Sequence, residues 1–415
     1  MRSLILIILL YITSSASAQS WKTITKQQLG IVSTTMFGGS APVGTKYFRI
    51  NPFNNSLWFA LNFKAFQLTN DGQFYKYDTS NTSILESNSK VFDFAFTPNY
   101  TFVMDGTYGL QQFDGTNWNL AIPFSNGLEL AYDADSVWAV RTNQNYIKWY
   151  GGFNSQGNYT GCRRIISKNG ETWGSDGYRG VTLKLVNDVA HVYSPDTCKL
   201  LDWDNYDFKF CRNTDSLYVS CPGGLSIADG DYFVDSISPA NSANMPSGII
   251  IEFEFDKNDN IWALFGDSFF KSSSIAFLNT TTKVWSNFYD TNNSPIKFNT
   301  IRTSIEIDTT GNLWVIDQDK LNVLDLGTTP AWLGLENYTQ VNSVEITPNP
   351  ATEYVQINFS GSQADLRILD LQGKEIEFLQ IQNDESIAIS HLKQGVYLFE
   401  INTTNGKSLK RLVKQ

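Results

Sequence analysis

Histidine is scarce in this chain, and that scarcity limits the chemistry that the sequence could support. The chain has two histidines, and only His191 precedes residue 344. Clusters of several histidines around a metal are therefore excluded. A Ser-His-Asp triad would have to use His191 without the G-x-S-x-G turn that presents a nucleophilic serine. Because His191 lies in the apolar segment VAHVY (189–193), we expect a core histidine rather than a general base.

One segment carries a weak signal for sugar chemistry. SKNGETW (167–173) resembles the Asp-box of sialidase propellers, although it is one residue short, does not recur and has Asn169 in place of the aspartate. A sialidase also needs an arginine cluster to bind the carboxylate of its substrate. A solvated charged face explains the local arginines equally well, so both interpretations stay open. The arginines concentrated near this segment are Arg163, Arg164, Arg179 and Arg212.

An oxygen-rich segment, DKNDN (256–260), begins like a calcium-binding loop. Ile261 stands where an EF-hand needs glycine, and no glutamate occupies the twelfth position of the loop. Because aspartate and asparagine also favour tight turns, we predict a turn here. The sequence thus predicts no catalytic set, no cofactor and no metal site. Carboxylate pairs for glycoside hydrolysis remain an open alternative, because spacing between strands cannot be read from sequence.

Four cysteines could form disulfides in an oxidising compartment. They lack any C-x-x-C pair, which argues against a zinc site. We expect one or two disulfides among them, with three pairings open, and buried free thiols are the alternative. The four positions are Cys162, Cys198, Cys211 and Cys221.

The elements that would position any site are short strands. Helical periodicity is nearly absent, while Gly, Asn, Asp and Thr separate short apolar runs throughout the chain. The composition is that of a globular protein, since 42% of the residues are hydrophobic. The sequence therefore predicts an all-β fold.

These strands recur at a regular spacing. The clearest copies are DKNDNIWAL (256–264) and DTTGNLWVI (308–316), each a polar turn followed by an aliphatic residue and tryptophan. Looser copies give an average spacing near 43 residues, as in the four-stranded blades of β-propellers. We predict a propeller of seven blades, with six or eight left open. The aligned positions are Trp58, Val103, Trp138, Tyr193, Tyr218, Trp262 and Trp314.

A second repeated element is an outer strand that follows a turn and contains tryptophan. GLQQFDGTNWNLAIP (109–123) is the fullest case, and TKVWSNFYD (282–290) repeats it. SWKTITK (20–26) has the same form but no blade precedes it, so it could complete the last blade and close the ring. AWLGLENY (331–338) competes for that place.

The phrases FDGTNW and GNLWVI resemble the two-component regulator propeller repeats that are common in Bacteroidetes proteins. The repeated tryptophans lie in apolar strands, so we expect Trp58, Trp138, Trp262 and Trp314, with Tyr218, to be blade core rather than ligand contacts. Aromatic residues in polar loops, such as Tyr108 and Tyr178, are better candidates for contact with a ligand.

The C-terminal residues have a different character. They contain TPNPATEYVQINF (347–359), LRILDLQGKEI (366–376), LKQGVYLFEI (392–401) and a basic end. Alternating apolar residues and turns predict a small immunoglobulin-like β-sandwich. The series resembles the C-terminal sorting domain of the type IX (Por) secretion system of Bacteroidetes, which implies handling by that machinery. The motif residues are Pro348, Asn349, Pro350, Gly373, Gly395 and Tyr397.

The N-terminus predicts export as well. Arg2, an apolar run and small residues form a signal peptide over residues 1–18, with cleavage between Ala18 and Gln19. Neither this apolar run nor any later one reaches the roughly 20 residues that a transmembrane helix needs. The domain prediction is therefore a signal peptide, a propeller over 19–342 and a sorting domain over 343–415.

These features predict a protein that is secreted or displayed at the cell surface after passing through the periplasm. The net charge of −10 disfavours nucleic acid as a partner. We expect a propeller that binds a protein or a glycan. The alternative is a propeller hydrolase or lyase acting on polysaccharide, which converging carboxylates in a deep funnel would favour.

Overall fold

The computed structural model divides into two compact units, residues 1–24 with 33–330 and residues 25–32 with 331–415. No helix formed by the described residues has the length and apolar composition that a membrane crossing needs. The predicted cleavage site, Gly373 and segment 331–338 lie outside the described residues. These comprise residues 21–26, 29, 31, 46–61, 64–78, 80, 82, 89–141, 145–150, 153–160, 162–176, 181–186, 189–301, 303–326, 344–359, 361–370, 375–403 and 406–415.

Seven four-stranded sheets make up the described part of the first unit, and each sheet is one blade of a propeller. Six blades are built from four consecutive strands. Blade 1 is β2 (Phe48–Ile50), β3 (Leu57–Leu61), β4 (Lys64–Leu68) and β5 (Phe74–Tyr77); blade 2 is β6 (Val91–Phe96), β7 (Thr101–Asp105), β8 (Gly109–Phe113) and β9 (Trp118–Pro123); blade 3 is β10 (Gly127–Asp133), β11 (Ser136–Arg141), β12 (Asn145–Tyr150) and β13 (Phe153–Thr160). Blade 4 is β14 (Cys162–Lys168), β15 (Glu171–Asp176), β16 (Val181–Val186) and β17 (Val189–Tyr193); blade 5 is β18 (Asp207–Phe210), β19 (Leu217–Cys221), β20 (Gly224–Asp229) and β21 (Tyr232–Ile237); blade 6 is β22 (Ile249–Phe255), β23 (Ile261–Gly266), β24 (Ser272–Asn279) and β25 (Val284–Tyr289).

Blade 7 joins the two ends of the propeller. It contains β26 (Ser304–Ile307), β27 (Leu313–Ile316) and β28 (Lys320–Leu324), and its fourth strand is the N-terminal β1 (Trp21–Thr25). The Thr23 hydroxyl donates to the Asn322 side-chain oxygen at 2.9 Å, and Trp21 packs edge-on against Tyr289 with ring centroids 5.2 Å apart. The inner strands contact one another in blade order, and β26 contacts β2. The predicted closure of the ring by the N-terminal strand is therefore confirmed.

The repeated aromatic residue occupies one register position in the second strand of each blade. Trp58, Trp138, Trp262 and Trp314 are buried there, and Tyr218 is half-buried. Two sequence alignments were wrong. In blade 2 the equivalent residue is Phe102 rather than Val103. Phe102 pairs with Ala95 in the same way that Trp138 of blade 3 pairs with Ala131. In blade 4 it is the buried Trp173. Tyr193 lies on the outer strand β17 and packs against Trp173, with the two ring centroids 5.0 Å apart.

Blade 4 explains two further differences from expectation. The Asn-Gly of SKNGETW forms the tight turn between β14 and β15, with φ of 52° at Asn169 and 82° at Gly170. Positive φ at both positions is what a two-residue hairpin turn needs, so this segment is a hairpin. His191 was expected in the core but is exposed, because it lies on the outer strand β17.

The described cysteines do not form the expected disulfides. Cys198, Cys211 and Cys221 are free thiols. The Sγ atom of Cys198 lies 3.1 Å from the Ser194 carbonyl oxygen, and Cys221 faces the interior of blade 5. Burial raises the pKa of the Cys221 thiol to about 12, so this thiol is a packing residue with little thiolate character. The side chain of Cys162 lies outside the described residues.

The second unit is a small β-sandwich with its own core. One sheet has the order β29-β30-β33 and the other has the order β32-β31-β34-β35. Alternate residues of both sheets, among them Val355, Ile357 and Phe399, form the core. The strands are β29 (Glu345–Thr347), β30 (Tyr354–Asn358), β31 (Gln363–Leu369), β32 (Glu375–Gln382), β33 (Glu385–Ala388), β34 (Gly395–Thr403) and β35 (Gly406–Lys414).

The Pro-Asn-Pro motif is fastened to the last strand of the sandwich. The Asn349 amide donates to the Arg411 carbonyl at 2.7 Å, and its oxygen accepts from the Val413 N–H at 3.0 Å. Pro348 and Pro350 both follow cis peptide bonds. Tyr397 lies on β34, and its hydroxyl donates to the Lys393 carbonyl at 2.8 Å. The motif thus ties the entry of the domain to its C-terminal strand.

Deleting Trp21–Thr25 should destabilise the propeller. The deletion exposes the edge of β28 and removes the contact between Trp21 and Tyr289, so we expect the free energy of unfolding to fall by about 3 kcal/mol or more. Urea denaturation measures the change. Thr23→Val removes only the hydroxyl contact, so it should lower the free energy of unfolding by only about 1 kcal/mol. Equal stabilities of the deletion and the parent chain would contradict closure by β1.

Candidate functional site

The inner strand of each blade is an edge strand, so alternate backbone N–H groups face the axis of the ring and need acceptors. Carboxylates of the preceding blade supply them at three places. Asp93 of blade 2 accepts from the Leu130 N–H of blade 3 at 2.8 Å. Asp207 of blade 5 accepts from the Phe253 N–H of blade 6 at 3.1 Å. We call these bonds carboxylate caps.

The third cap joins blades 6 and 7. Glu252 accepts from the Ile305 N–H at 3.2 Å and from the Ser304 hydroxyl at 3.0 Å. Asp93, Asp207 and Glu252 each lie two residues before the inner-strand residue that pairs with the blade's aromatic residue. The caps are therefore a repeated feature of the propeller rather than three unrelated contacts.

Arg49 adds a salt bridge at the start of the ring. Its Nε and Nη2 atoms donate to the two oxygens of Asp93 at 2.9 and 3.0 Å, and Nη2 also lies 3.3 Å from the Leu130 carbonyl oxygen. Burial alone would lower the pKa of Arg49, but Asp93 raises it well above its usual range. The paired charges connect blades 1, 2 and 3 in one buried network.

Lys46 lies in a cage of four carboxylates from blades 5, 6 and 7. Its Nζ atom is 2.8 Å from Glu252 Oε1, 3.3 Å from Glu254 Oε1, 3.7 Å from Asp207 Oδ2 and 3.9 Å from Glu306 Oε1. Burial lowers the pKa of Lys46, but these carboxylates outweigh that effect and raise it well above its usual value. The lysine is therefore a charged component of the core.

The same cage has the spacing of a cation site. Oxygens of Glu252, Glu254 and Glu306 all lie within 4.8 Å of one another, a spacing that a hard cation would accept. Here the Lys46 ammonium supplies positive charge among them, and Lys209 also contacts Glu254. The arrangement is accordingly a lysine-centred charge cluster.

Glu306 is the member of this cluster whose negative charge is least balanced by neighbouring groups. Its Oε1 atom is buried without a hydrogen-bond partner. Burial, followed by the neighbouring charge of Glu254, raises the pKa of Glu306 to about 7. Near neutral pH a proton therefore takes part in balancing the cluster.

A cavity of about 350 Å³ opens among the inner strands of blades 1, 3, 4 and 5. Glu129, Arg164 and Asp207 line it at equivalent register positions of three successive blades. Phe53, which is 51% exposed, stands in the turn after β2 and also lines the cavity. The walls thus combine both signs of charge with an exposed aromatic ring, as ligand sites often do.

Glu129 differs from the capping acids beside it. No cation or hydrogen-bond donor among the described residues lies within bonding distance of its carboxylate. Burial raises the pKa of Glu129 to about 7, against the opposing effect of Arg164. Burial also raises the pKa of Asp207, but Lys46 and Lys209 lower it further, so the net shift is downward. The cavity therefore holds one carboxyl group that titrates near neutral pH and one that stays ionised.

Those candidate ligand residues named from sequence that the structure describes do not gather in one place. Arg164 lines the cavity, whereas Arg212 is exposed on a turn of blade 5. Tyr108 is half-buried in the turn between β7 and β8, and it is not among the residues lining the cavity. Tyr178, Arg179 and the side chain of Arg163 lie outside the described residues. The cavity was missed because its charges come from the apolar inner strands.

The turn predicted at DKNDN links neighbouring blades. Asp256 accepts from the Asn258 and Asn260 N–H groups at 2.8 and 2.9 Å, which closes the turn internally. Asp259 accepts from the Arg212 N–H at 3.1 Å and from the Asn213 amide at 2.7 Å. These oxygens therefore bind the turn and the adjacent blade.

Comparison with known proteins identifies the C-terminal unit. Residues 345–415 match the secretion system C-terminal sorting domain, so the chain carries a Por-type sorting domain there. The domain indicates export by type IX secretion, with the product secreted or held at the cell surface. A comparison with curated protein sequences found no match.

Solved structures with the same architecture are propeller-type domains. The extracellular domain of the hybrid two-component system BT3049 from B. thetaiotaomicron has a TM-score of 0.56 at 11% identity, covering 95% of this chain and 57% of that one. The extracellular domain of BT4673 from the same organism has a TM-score of 0.52 at 13% identity, covering 95% and 59%. Streptogramin B lyase has a TM-score of 0.55 at 10% identity, covering 74% and 97%. The chain spans under two thirds of the two regulator domains, and such low identities show a shared fold alone.

Asp93→Asn should destabilise the propeller strongly. The change leaves the buried Arg49 charge without its partner, so we expect the free energy of unfolding to fall by about 3–5 kcal/mol. Chemical denaturation of the variant and the parent chain measures this loss. The control is Lys297→Gln, which breaks the exposed ion pair between Lys297 Nζ and Asp319 Oδ2, 3.0 Å apart. It should lower the free energy of unfolding by about 1 kcal/mol or less. Similar losses in the two variants would contradict a structural role for the Arg49–Asp93 pair.

Stability should depend on pH through Glu129. Its pKa is raised in the folded chain, so its protonated form favours folding below pH 4.5, and that contribution is lost as pH rises through about 7. Glu129→Gln should therefore be more stable than the parent at pH 8 by about 3 kcal/mol, with a flatter profile between pH 5 and 8. Exposed Asp229→Asn serves as the control. Parallel profiles of Glu129→Gln and the parent would exclude a raised pKa.

Proposed function

We propose that this protein is a propeller exported by type IX secretion that binds a small polar ligand, or the end of a glycan chain, in its axial cavity. The cavity carries this proposal. It measures about 350 Å³, and Glu129 lines it as a buried carboxyl group that accepts no hydrogen bond from the described residues. Binding sites keep such groups because a ligand completes their hydrogen bonds.

Binding is favoured over catalysis because most carboxylates near the axis are already engaged. Asp93 and Glu252 cap neighbouring blades, and Asp207 caps Phe253 while facing Lys46. Glycoside hydrolysis needs two carboxyl groups that reach the substrate. Here only Glu129 has no structural partner among the described residues.

A second candidate function is cleavage of a polysaccharide. The supporting observation is that Glu129, with its pKa raised to about 7, and Asp207, with its pKa lowered, line the same cavity. A protonated acid beside an ionised carboxylate is the pair that such hydrolysis employs.

One pair of assays separates the two functions. The mature full-length chain is applied to a glycan array, and the same glycans are incubated with it and analysed for new reducing ends. We expect retention of one ligand class without cleavage, and weaker retention in Glu129→Ala. Cleavage that disappears in Glu129→Gln would replace binding by hydrolysis. Retention that is unaffected by Glu129→Ala and Arg164→Ala would place the ligand outside the cavity.

The sorting domain should be needed for export and not for propeller folding. Deleting residues 344–415 removes a unit with its own core, so we expect a folded, protease-resistant propeller retained in the periplasm. Fractionation and surface proteolysis of the native bacterium measure its location.

A milder variant tests the motif itself. Asn349→Ala removes both side-chain bonds to β35 and should reduce the surface fraction, whereas exposed Glu353→Gln should leave it unchanged. Arrival of the truncated chain at the surface would contradict the export assignment.

A further inference from the structure

Glu129 is an acid at the register position of the carboxylate caps, but it makes no cap. Asp93, Asp207 and Glu252 occupy this position in blades 2, 5 and 6, and each accepts from an N–H of the blade that follows. Glu129 of blade 3 is also buried, with 7% of its surface exposed, and its carboxylate accepts from no donor among the described residues. Because Glu129 lines the axial cavity, a molecule in the cavity can supply that donor.

The charges around the axis do not balance when every group is ionised. Among the described residues, six carboxyl groups and four cations act on one another there, so the network carries an excess of negative charge. Burial raises the pKa of Glu129 and of Glu306 to about 7, and protons on these two groups can therefore offset the excess. A positively charged ligand would offset it as well. The acids are Asp93, Glu129, Asp207, Glu252, Glu254 and Glu306, and the cations are Lys46, Arg49, Arg164 and Lys209.

Neighbouring charges oppose one another at Glu129, and burial has the largest effect on its pKa. Two cations favour the ionised form and two acids oppose it. In order of effect these groups are Arg164, Asp93, Arg49 and Asp207. The Arg164 guanidinium lies over the Phe270 ring, 5.8 Å from its centroid, and no described residue forms an ion pair with Glu129. A further positive group at this carboxylate would therefore be favourable.

A small organic cation fits this place better than a metal ion. Calcium takes roughly six to eight oxygen ligands, and the acids of the described chain with metal-ligand spacing are Glu252, Glu254 and Glu306, without Glu129. The cavity volume of about 350 Å³ suits a small molecule. Phe53 also lines the cavity and is 51% exposed, and no cation of the described chain lies over its ring. Organic ammonium ions bind the faces of aromatic rings.

We infer that the axial cavity binds a small organic ammonium ion, which donates to the Glu129 carboxylate and lies against the exposed ring of Phe53. The inference rests on the proposed function and names the ligand class of that cavity. An amino sugar at the end of a glycan and an aliphatic amine share this chemistry. The ammonium group takes the place of a proton on Glu129, so binding should strengthen as that proton is lost.

Isothermal titration of the full chain with four probes tests the ligand class. n-Butylamine and D-glucosamine carry the ammonium group, and 1-butanol and N-acetyl-D-glucosamine are their neutral counterparts. We expect at least one amine to bind, which identifies the source of the ammonium group. Its neutral counterpart should bind at least about tenfold more weakly, because it lacks the charge-assisted hydrogen bond.

Three variants relate binding to the two residues. Glu129→Gln removes the charge and should weaken binding of the amine about ten- to hundredfold. Phe53→Leu keeps an apolar side chain without the ring and should weaken binding about two- to fivefold. Asp229→Asn removes an exposed charge that does not line the cavity, so the affinity should stay the same. A cooperative denaturation transition shows that each variant is folded.

The pH dependence of binding supplies an independent readout. n-Butylamine stays protonated near neutral pH, whereas the ionised fraction of Glu129 rises from about one tenth at pH 6 to about nine tenths at pH 8. The affinity for n-butylamine should therefore rise about tenfold over this range. Glu306 titrates in the same range, so comparison with the profile of Glu129→Gln isolates the part that is due to Glu129.

Three outcomes would overturn the inference. Neutral counterparts that bind as tightly as the amines would exclude an ammonium ligand while leaving binding in the axial cavity intact. An amine that binds equally well to the parent and to Glu129→Gln at both pH values would place the ammonium group elsewhere. If none of the four probes binds, the ammonium assignment is wrong, and the glycan array decides separately whether the cavity binds another ligand.

Discussion

Seven edge strands meet at the axis of this propeller, and the backbone donors on those edges must be satisfied. A water-filled channel would solvate them, but here acids of the preceding blade accept from the strand that follows. Asp93, Asp207 and Glu252 each do so, and each is buried. Buried acids require compensation, which explains why Arg49 and Lys46 lie beside them. The charge network of the axis follows from this single constraint.

The same constraint locates the candidate site. Where blade 4 replaces the capping acid by Arg164, the inner strand of blade 5 loses its acceptor and a cavity lies beside it. The proposed binding site thus lies where the pattern that caps blades 3, 6 and 7 is interrupted.

Sequence predicted the fold better than the site. The tryptophans of blades 1, 3, 6 and 7 stand in clear turn-strand contexts, so periodicity found them. Blade 4 was misaligned because SKNGETW was compared with an enzyme motif, whereas its Trp173 is the blade aromatic. In blade 2, Phe102 replaces tryptophan and the neighbouring Val103 is equally buried, so composition alone could not choose between them.

The charged residues near the axis were not predicted from sequence, for a different reason. They alternate with apolar residues in segments such as VFDFAF (91–96) and IIIEFEF (249–255), which are typical of strands with one solvated face. Each capping acid lies two residues before the inner-strand residue that pairs with the blade's aromatic residue. This spacing could have identified the acids from sequence, but only after the strand register was known. The pairing of Lys46 with blades 5, 6 and 7 depends on closure of the ring, so no local pattern contained it.

The carboxylate caps distinguish blades 3, 6 and 7 from blades 4 and 5, where Ile165 and Phe208 occupy the equivalent positions. Residue-resolved hydrogen exchange without added ligand tests this difference most directly. We predict slow exchange at the amides of Leu130, Phe253 and Ile305, and exchange at least about tenfold faster at those of Ile165 and Phe208. The reason is that a missing hydrogen bond worth roughly 1.4 kcal/mol changes the opening equilibrium by that factor. Equal protection of all five amides would contradict it.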